Sequence, residues 1–353
     1  MSSPSPPADP VRWSAAMDRA LYGPGGFYVA GDGAAGHFRT SVSASPSVRE
    51  VFAGALGELL GRVDAALGRP DPLDLVDVGA GTGALLESIL ASIGSGIDAR
   101  IRATAVEVRP APTGLSPRIG WNDGVPELTG LLIANEWLDN VAVDIVADDR
   151  VLLVDPTGAE SAGPALRPED AEWLDRWWPT GVRRELGLHR DSAWAQAVSQ
   201  VARGLAVAID YAHSASGRPS YGTLIGFRRG RETDPVPDGS CDLTAHVAID
   251  SVALAGALSA ARTADMSAAR AADTSRAGAA GVQGVHTFLA DQRMALRCLG
   301  VSGRRPEYAA DPAGYAAALQ RASDSAELLD PAGLGAFTWL LQGVGVDPYE
   351  LLG

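Results

Sequence analysis

One run constrains this chain more than any other: Leu73-Asp74-Leu75-Val76-Asp77-Val78-Gly79-Ala80-Gly81-Thr82-Gly83-Ala84-Leu85-Leu86. A short β-prone segment leads into three glycines at alternate positions, and an apolar helical stretch (84–93) follows at once. A strand that turns straight into a helix presents its backbone to whatever lies over the turn. Residues there must lack a Cβ or tolerate unusual φ. Further strands are expected at residues 101–106, 118–121, 131–134, 151–154 and 205–209, with a closing strand at 337–341. Residues 192–202 have helical spacing. Strands alternating with helices predict an α/β fold, a parallel sheet with helices on both faces.

Upstream, residues 13–21 have helical spacing until Tyr22-Gly23-Pro24-Gly25-Gly26-Phe27-Tyr28 enforces a turn. Ser45-Pro46-Ser47 then reads as a helix start with proline in the first turn. Val51, Phe52, Ala55, Leu56, Leu59, Leu60 and Val63 follow at amphipathic intervals. The expected organisation is a Ser/Pro-rich disordered tail at 1–10 and an N-terminal helical and loop segment at 11–68 packing on the core. A sheet domain spans 69–353, with insertions near 156–200 and 256–281. The second insertion is mostly Ala, Arg, Ser, Thr and Asp, which predicts a surface excursion or partial disorder.

Charge narrows the partners. The 43 acidic and 29 basic residues give a formal net charge of -14, which argues against a nucleic-acid partner bound through a basic field. Every basic residue other than histidine is arginine, so lysine chemistry such as a Schiff base or a Walker-type phosphate loop is excluded. Cys241 and Cys298 are isolated and fit a reducing compartment rather than a disulfide framework or zinc knuckle. The five histidines show no metal spacing, so no metal is expected. No apolar run approaches a membrane span, and a cytoplasmic protein without membrane insertion is expected.

The glycines alone do not choose a cofactor, because the same letters satisfy the dinucleotide pattern G-x-G-x-x-A. Asp77, two residues before the first glycine, suits the ammonium of S-adenosylmethionine, whereas a dinucleotide has no ammonium to satisfy. The D-x-G-x-G-x-G run through Gly79, Gly81 and Gly83 tips the balance the same way. Glu107, ending the next strand, is placed to accept ribose hydroxyls, a role that serves either cofactor. Asn122, after the third strand, sits where an adenine amino group would be read.

A second cluster, Asn135-Glu136-Trp137-Leu138-Asp139, follows the fourth strand, at the sheet edge where ligands of open parallel sheets lie. Carboxylates can orient a guanidinium and stabilise the charge left after methyl transfer, and an amide carbonyl can aim an amine. Asn135, Glu136 and Asp139 supply both kinds, and Asp210 ends a strand at the same edge. A helix cap with acids in its first turn is the plainer alternative. The Arg228-Arg229-Gly230-Arg231 cluster reads as a solvated turn.

Together these strings resemble the MidA-type methyltransferase family, whose members include a mitochondrial complex I assembly arginine methyltransferase. The resemblance rests on residues 22–28, on Gly36-His37-Phe38-Arg39-Thr40 with Ser45-Pro46, and on residues 135–139. Asp210-Tyr211, Gly222-Thr223-Leu224 and Asp242-Leu243-Thr244-Ala245-His246-Val247 extend it. It implies a Rossmann-like class I methyltransferase sheet with an N-terminal helical part and an inserted substrate-side region. It also implies S-adenosyl-L-methionine as cofactor, with Thr40 among the binding residues, and methylation of an arginine on a protein substrate. The chain departs from the family at His37 and Ser43, where the family carries acids, and at Asn140-Val141-Ala142. These changes bear on the acceptor rather than the cofactor. An assembly protein that kept the pocket and lost the acceptor site is the alternative, with an NAD-linked oxidoreductase behind it.

Overall fold

The computed structural model describes residues 9–30, 41–42, 44–274, 284–309 and 311–353, without the side chains of Ala30 and 264–274. Thr40, His37, Ser43 and most of the expected N-terminal tail lie outside the described residues. The contacts divide the chain into two compact units. One comprises Met1–Arg39, Leu138–Ala193 and Ala212–Val252; the other comprises Thr40–Trp137, Trp194–Tyr211 and Ala253–Gly353. The segment expected at 11–68 is therefore divided between them, because chain proximity does not dictate which core a helix joins.

The larger unit holds a seven-stranded sheet. In chain order its strands are β1 (Leu73–Val78), β2 (Ile101–Val106), β3 (Ile119–Asn122), β4 (Leu128–Asn135), β5 (Val201–Asp210), β6 (Val285–Asp291) and β7 (Thr338–Val344). Their spatial order is β6-β7-β5-β4-β1-β2-β3. The first five are mutually parallel, whereas β7 runs antiparallel between β5 and β6. All six residues of β1 are buried, as expected of a strand covered on both faces. Strand order reverses between β1 and β4, the switch point beyond which such sheets bind ligands.

The helix Pro46–Ala66 begins where the Ser45 Oγ accepts the Val48 N–H at 3.1 Å, with Pro46 in the first turn. Its Phe52, Leu56, Leu59, Leu60 and Val63 pack with Leu75, Leu131, Ile133 and Val207 of the sheet in one core. A residue buried there contributes roughly 1.5–3 kcal/mol.

One sequence expectation needs correction. The helix expected at 192–202 is Leu188–Ser199, and Val201 already opens β5. Within the region at 256–281, the described part belongs to one helix, Ile249–Thr274, with Gly256 and Ala260 buried and Leu258 exposed. Alanine is the strongest helix former, and small residues permit close approach. A Cβ at Gly256 would stand 2.0 Å from Gln342 Oε1 and 2.6 Å from Trp194 Nε1. Burial here comes from small side chains, so a search for large apolar residues overlooks it.

The smaller unit contains the helix Trp13–Tyr22 and an antiparallel sheet built on Asp144–Ala147 and Arg150–Val154. Trp13, Met17, Leu21, Ile145, Val154 and Leu243 form one of its cores. The arginine cluster at 228–231 makes the tip of the hairpin between Ile225–Arg228 and Arg231–Thr233.

Candidate functional site

At the carboxyl end of β1, the glycine turn takes the conformation anticipated from its residues. Gly79, Gly81 and Gly83 have φ of 72°, 60° and 78°, in the left-handed region that side chains disfavour. Space enforces the same choice. A Cβ on Gly79 would meet Trp137 Cδ1 at 2.7 Å, and one on Gly83 would meet Leu115 Cδ1 at 2.7 Å.

The hydrogen bonds of the turn distinguish its ligands. The Gly79 and Ala80 N–H groups donate to the Val106 carbonyl at 2.9 and 3.3 Å, and Gly83 N–H donates to the Ala80 carbonyl at 2.8 Å. Gly81 N–H donates to Glu107 Oε2 at 2.9 Å. A pyrophosphate site would keep such donors for its anion; here they are committed to the protein itself.

Asp77 supplies the complementary observation. It is 3% exposed, and among the described residues its carboxylate accepts no hydrogen bond. Burial, with the nearby Glu107 charge adding to it, pushes its pKa up to about 8. A buried carboxylate of this kind is costly unless a cation joins it.

Glu107 is less free than its sequence position implied. Its Oε1 accepts from Arg109 N–H at 3.1 Å and Arg109 Nε at 3.4 Å while Oε2 takes Gly81 N–H, so this acid braces the turn. Asn122 ends β3 with its side chain exposed and its carbonyl accepting the Glu107 N–H at 2.9 Å. Trp121, which the sequence analysis overlooked, donates from Nε1 to the Arg109 carbonyl at 2.8 Å. With Leu115 it lies within 4 Å of the Gly83 Cβ position, an apolar wall beside the turn.

At the end of β4 the chain places Asn135 and Glu136. Glu136 has φ of 52°, uncommon for a residue with a side chain, and its N–H donates to the Ile209 carbonyl at 2.8 Å. Its Oε1 accepts from Asn135 Nδ2 at 3.0 Å and from Ser41 N–H at 3.2 Å. The first bond orients the amide: the nitrogen faces the acid, and Asn135 Oδ1 is buried with no partner among the described residues.

Ser41 is itself tied down. Its Oγ accepts from Gln292 Nε2 at 3.3 Å, and Gln292, fully buried, donates to the Leu334 carbonyl at 2.8 Å and accepts from Trp339 Nε1 at 3.1 Å. This chain crosses more than 250 residues of sequence, so no local pattern announces it. Asp210 ends β5, fully buried, with Oδ1 accepting the Tyr211 N–H at 3.0 Å.

Asp139, three residues beyond Glu136, falls in the smaller unit. It is buried, in a 3-10 turn, and Thr244 Oγ1 donates to its Oδ2 at 2.7 Å. Burial raises its pKa, with the Thr244 bond and the Arg190 charge opposing. Beside it, Asn140 Nδ2 donates to Asp242 Oδ1 at 3.0 Å, and Tyr28 Oη donates to Asn140 Oδ1 at 3.0 Å. Burial, then the Asp139 charge, pushes Asp242 up to about 7.

Arg190, 1% exposed, fastens these strands and was not singled out from the sequence. It donates to the carbonyls of Asp139 (2.6 Å), Val141 (2.9 Å), Ala245 (2.8 Å) and His246 (2.8 Å). Arg190→Lys should destabilise the protein by about 2–4 kcal/mol in urea unfolding, because an ammonium cannot reach four carbonyls in fork geometry. Unchanged stability would show that the clamp is dispensable.

A family model described as "Putative S-adenosyl-L-methionine-dependent methyltransferase" matches residues 55–266. Two solved structures from Burkholderia thailandensis are similar to this chain, each covering 96% of it and 88% of their own length. One, a COG1565 superfamily member bound to S-adenosyl-homocysteine, is 23% identical with a TM-score of 0.71. The other, a native COG1565 superfamily protein, is 24% identical with a TM-score of 0.72. At these identities the likeness establishes the fold. No curated protein matches significantly.

Proposed function

This chain belongs to the S-adenosyl-L-methionine-dependent methyltransferase family matched over residues 55–266, and we propose that it methylates a nitrogen on a protein arginine side chain. The residues present suit that cofactor. Asp77 would hold the ammonium of its methionine portion, the glycine turn would admit it closely, and Glu107 and Asn122 would meet its nucleoside. Bound there, the cofactor supplies a methyl group on a sulfonium that a nitrogen lone pair can displace.

The observation that carries the acceptor proposal is the orphaned Asn135 Oδ1 beside Glu136. A carbonyl oxygen accepts one N–H of the incoming nitrogen and aligns its lone pair with the donor. Glu136 accepts others, offsets the charge that builds on the guanidinium as the methyl arrives and the thioether leaves, and takes the proton that the nitrogen releases. Held by Ser41 and Asn135, its carboxylate needs little reorganisation to do so. Asp210 backs the same edge from β5. Asp139, with Thr244 on its Oδ2, is a second acid suited to a cationic side chain. The overall charge of -14 also favours a basic partner protein.

The test is transfer of a labelled methyl group from S-adenosylmethionine to proteins of a matched lysate, followed by acid hydrolysis and amino-acid analysis. Label in methylarginine is the expected result. Label confined to another amino acid or to small molecules would replace arginine as the acceptor, and cofactor binding without any labelled product would favour an assembly role.

A further inference from the structure

The larger unit carries an open cavity at its surface, of about 990 Å³, outside the site described above. Its walls come from the helix Gln292–Cys298, the loop that follows it and the end of the helix Tyr315–Leu328. Three arginines face it: Arg293, Arg297 and Arg304. None of their guanidinium groups has a described hydrogen bond or ion pair, and the Arg293 Nε is buried without a partner. What sets these three apart is that they converge on one space. Some arginines elsewhere in the same unit find carboxylates, as in Arg100 with Asp64 at 2.7 Å, Arg118 with Asp98 at 2.6 Å and Arg109 with Glu107 at 3.4 Å.

A structural role as helix caps does not account for them. The helix Gln292–Cys298 ends on Gly300, at φ of 88°, where Gly300 N–H donates to the Arg297 carbonyl and Val301 N–H to the Leu296 carbonyl. The Cys298 carbonyl takes Arg62 Nη2 at 3.0 Å. The carbonyls that a cation would cap are already satisfied.

We propose that this cavity is a binding site for a small organic phosphate. Guanidinium forks match phosphate oxygens bidentately, and a buried, unpartnered Nε gains most when an anion joins it. The volume lies at the upper end of the range of small-molecule sites, large enough for a nucleotide rather than a bare ion. Glu327 and Asp330 also line it. Both weaken binding of a naked anion, and Asp330 can accept from a hydroxyl or amino group of the ligand.

The test uses the full chain with S-adenosylhomocysteine present in excess, so that a nucleotide cannot report from the glycine turn. Pyrophosphate, ADP and phosphatidylglycerol vesicles are the probes, read by calorimetry and by vesicle sedimentation. Saturable ADP binding is expected, stronger than that of pyrophosphate and weakened by salt. It should fall about tenfold or more in Arg293→Gln and, separately, in Arg304→Gln, whose side chain is exposed and whose loss spares folding. Binding of S-adenosylhomocysteine serves as the check on folding for both. No saturable binding up to about 10 mM, ADP affinity unchanged from the unsubstituted protein in both variants, or capture by vesicles alone would each overturn the proposal.

Discussion

Glu136→Gln is expected to lower turnover by about 10²–10³-fold while S-adenosylhomocysteine affinity stays within about twofold. The carboxylate has its Oε1 fixed by Asn135 and Ser41, and behind Ser41 stands the buried Gln292. Glutamine keeps the size and one carbonyl oxygen, so the backbone at φ of 52° suffers no new strain. What it loses is the negative charge that offsets the added positive charge on the guanidinium in the transition state and that takes the released proton. That interaction grows between ground state and transition state, so its removal appears in kcat more than in binding. The check is kcat and KM for the acceptor, with the affinity of S-adenosylhomocysteine measured in parallel. An equal loss of turnover and cofactor affinity would move Glu136 from the acceptor to the cofactor or to the fold.

Asp77→Asn should weaken S-adenosylhomocysteine binding by about 30-fold or more, the scale of a charge-assisted bond removed from a desolvated pair. 5′-Methylthioadenosine lacks the ammonium, so its affinity should hardly change. Equal losses for both ligands would mean that Asp77 shapes the turn without gripping the charge. The same substitution has a second signature in the protein without cofactor. The Asp77 pKa lies at about 8 in the folded chain against 3.8 for a free side chain. Between those values the folded state binds the extra proton, so stability falls as pH rises through that window, and the full cost of the buried charge is present above pH about 8. Thermal melts of the unliganded protein should therefore decline toward alkaline pH, and the asparagine variant should lose this part of the decline. Saturating S-adenosylhomocysteine should remove it too, since its ammonium compensates the carboxylate.

The two acids of this region that share a sheet edge differ in what the chain shows of them in advance. Asp77 and the glycines are legible because each constraint is local: a strand, a turn at positive φ and a helix follow one another within fourteen residues. Glu136 is legible only as a polar residue after an apolar strand. Its partners Ser41 and Gln292 are distant in sequence, and a hydrogen bond between residues so far apart leaves no periodic trace. Arg190 shows the same limit from the other side. A lone arginine inside a helical stretch reads as a solvated face, yet its guanidinium is wholly enclosed by four carbonyls.

Sequence alone determined the α/β class, the glycine turn, the acid beneath it and the acids after β4, because alternation, glycine placement and strand-end polarity act over a few residues. Tertiary structure alone decided that β7 runs antiparallel between β5 and β6, that Asp139 joins a different unit from Glu136, and which oxygens remain without donors. Those outcomes depend on which distant groups meet once apolar faces are buried, and packing free energy, not local preference, settles that.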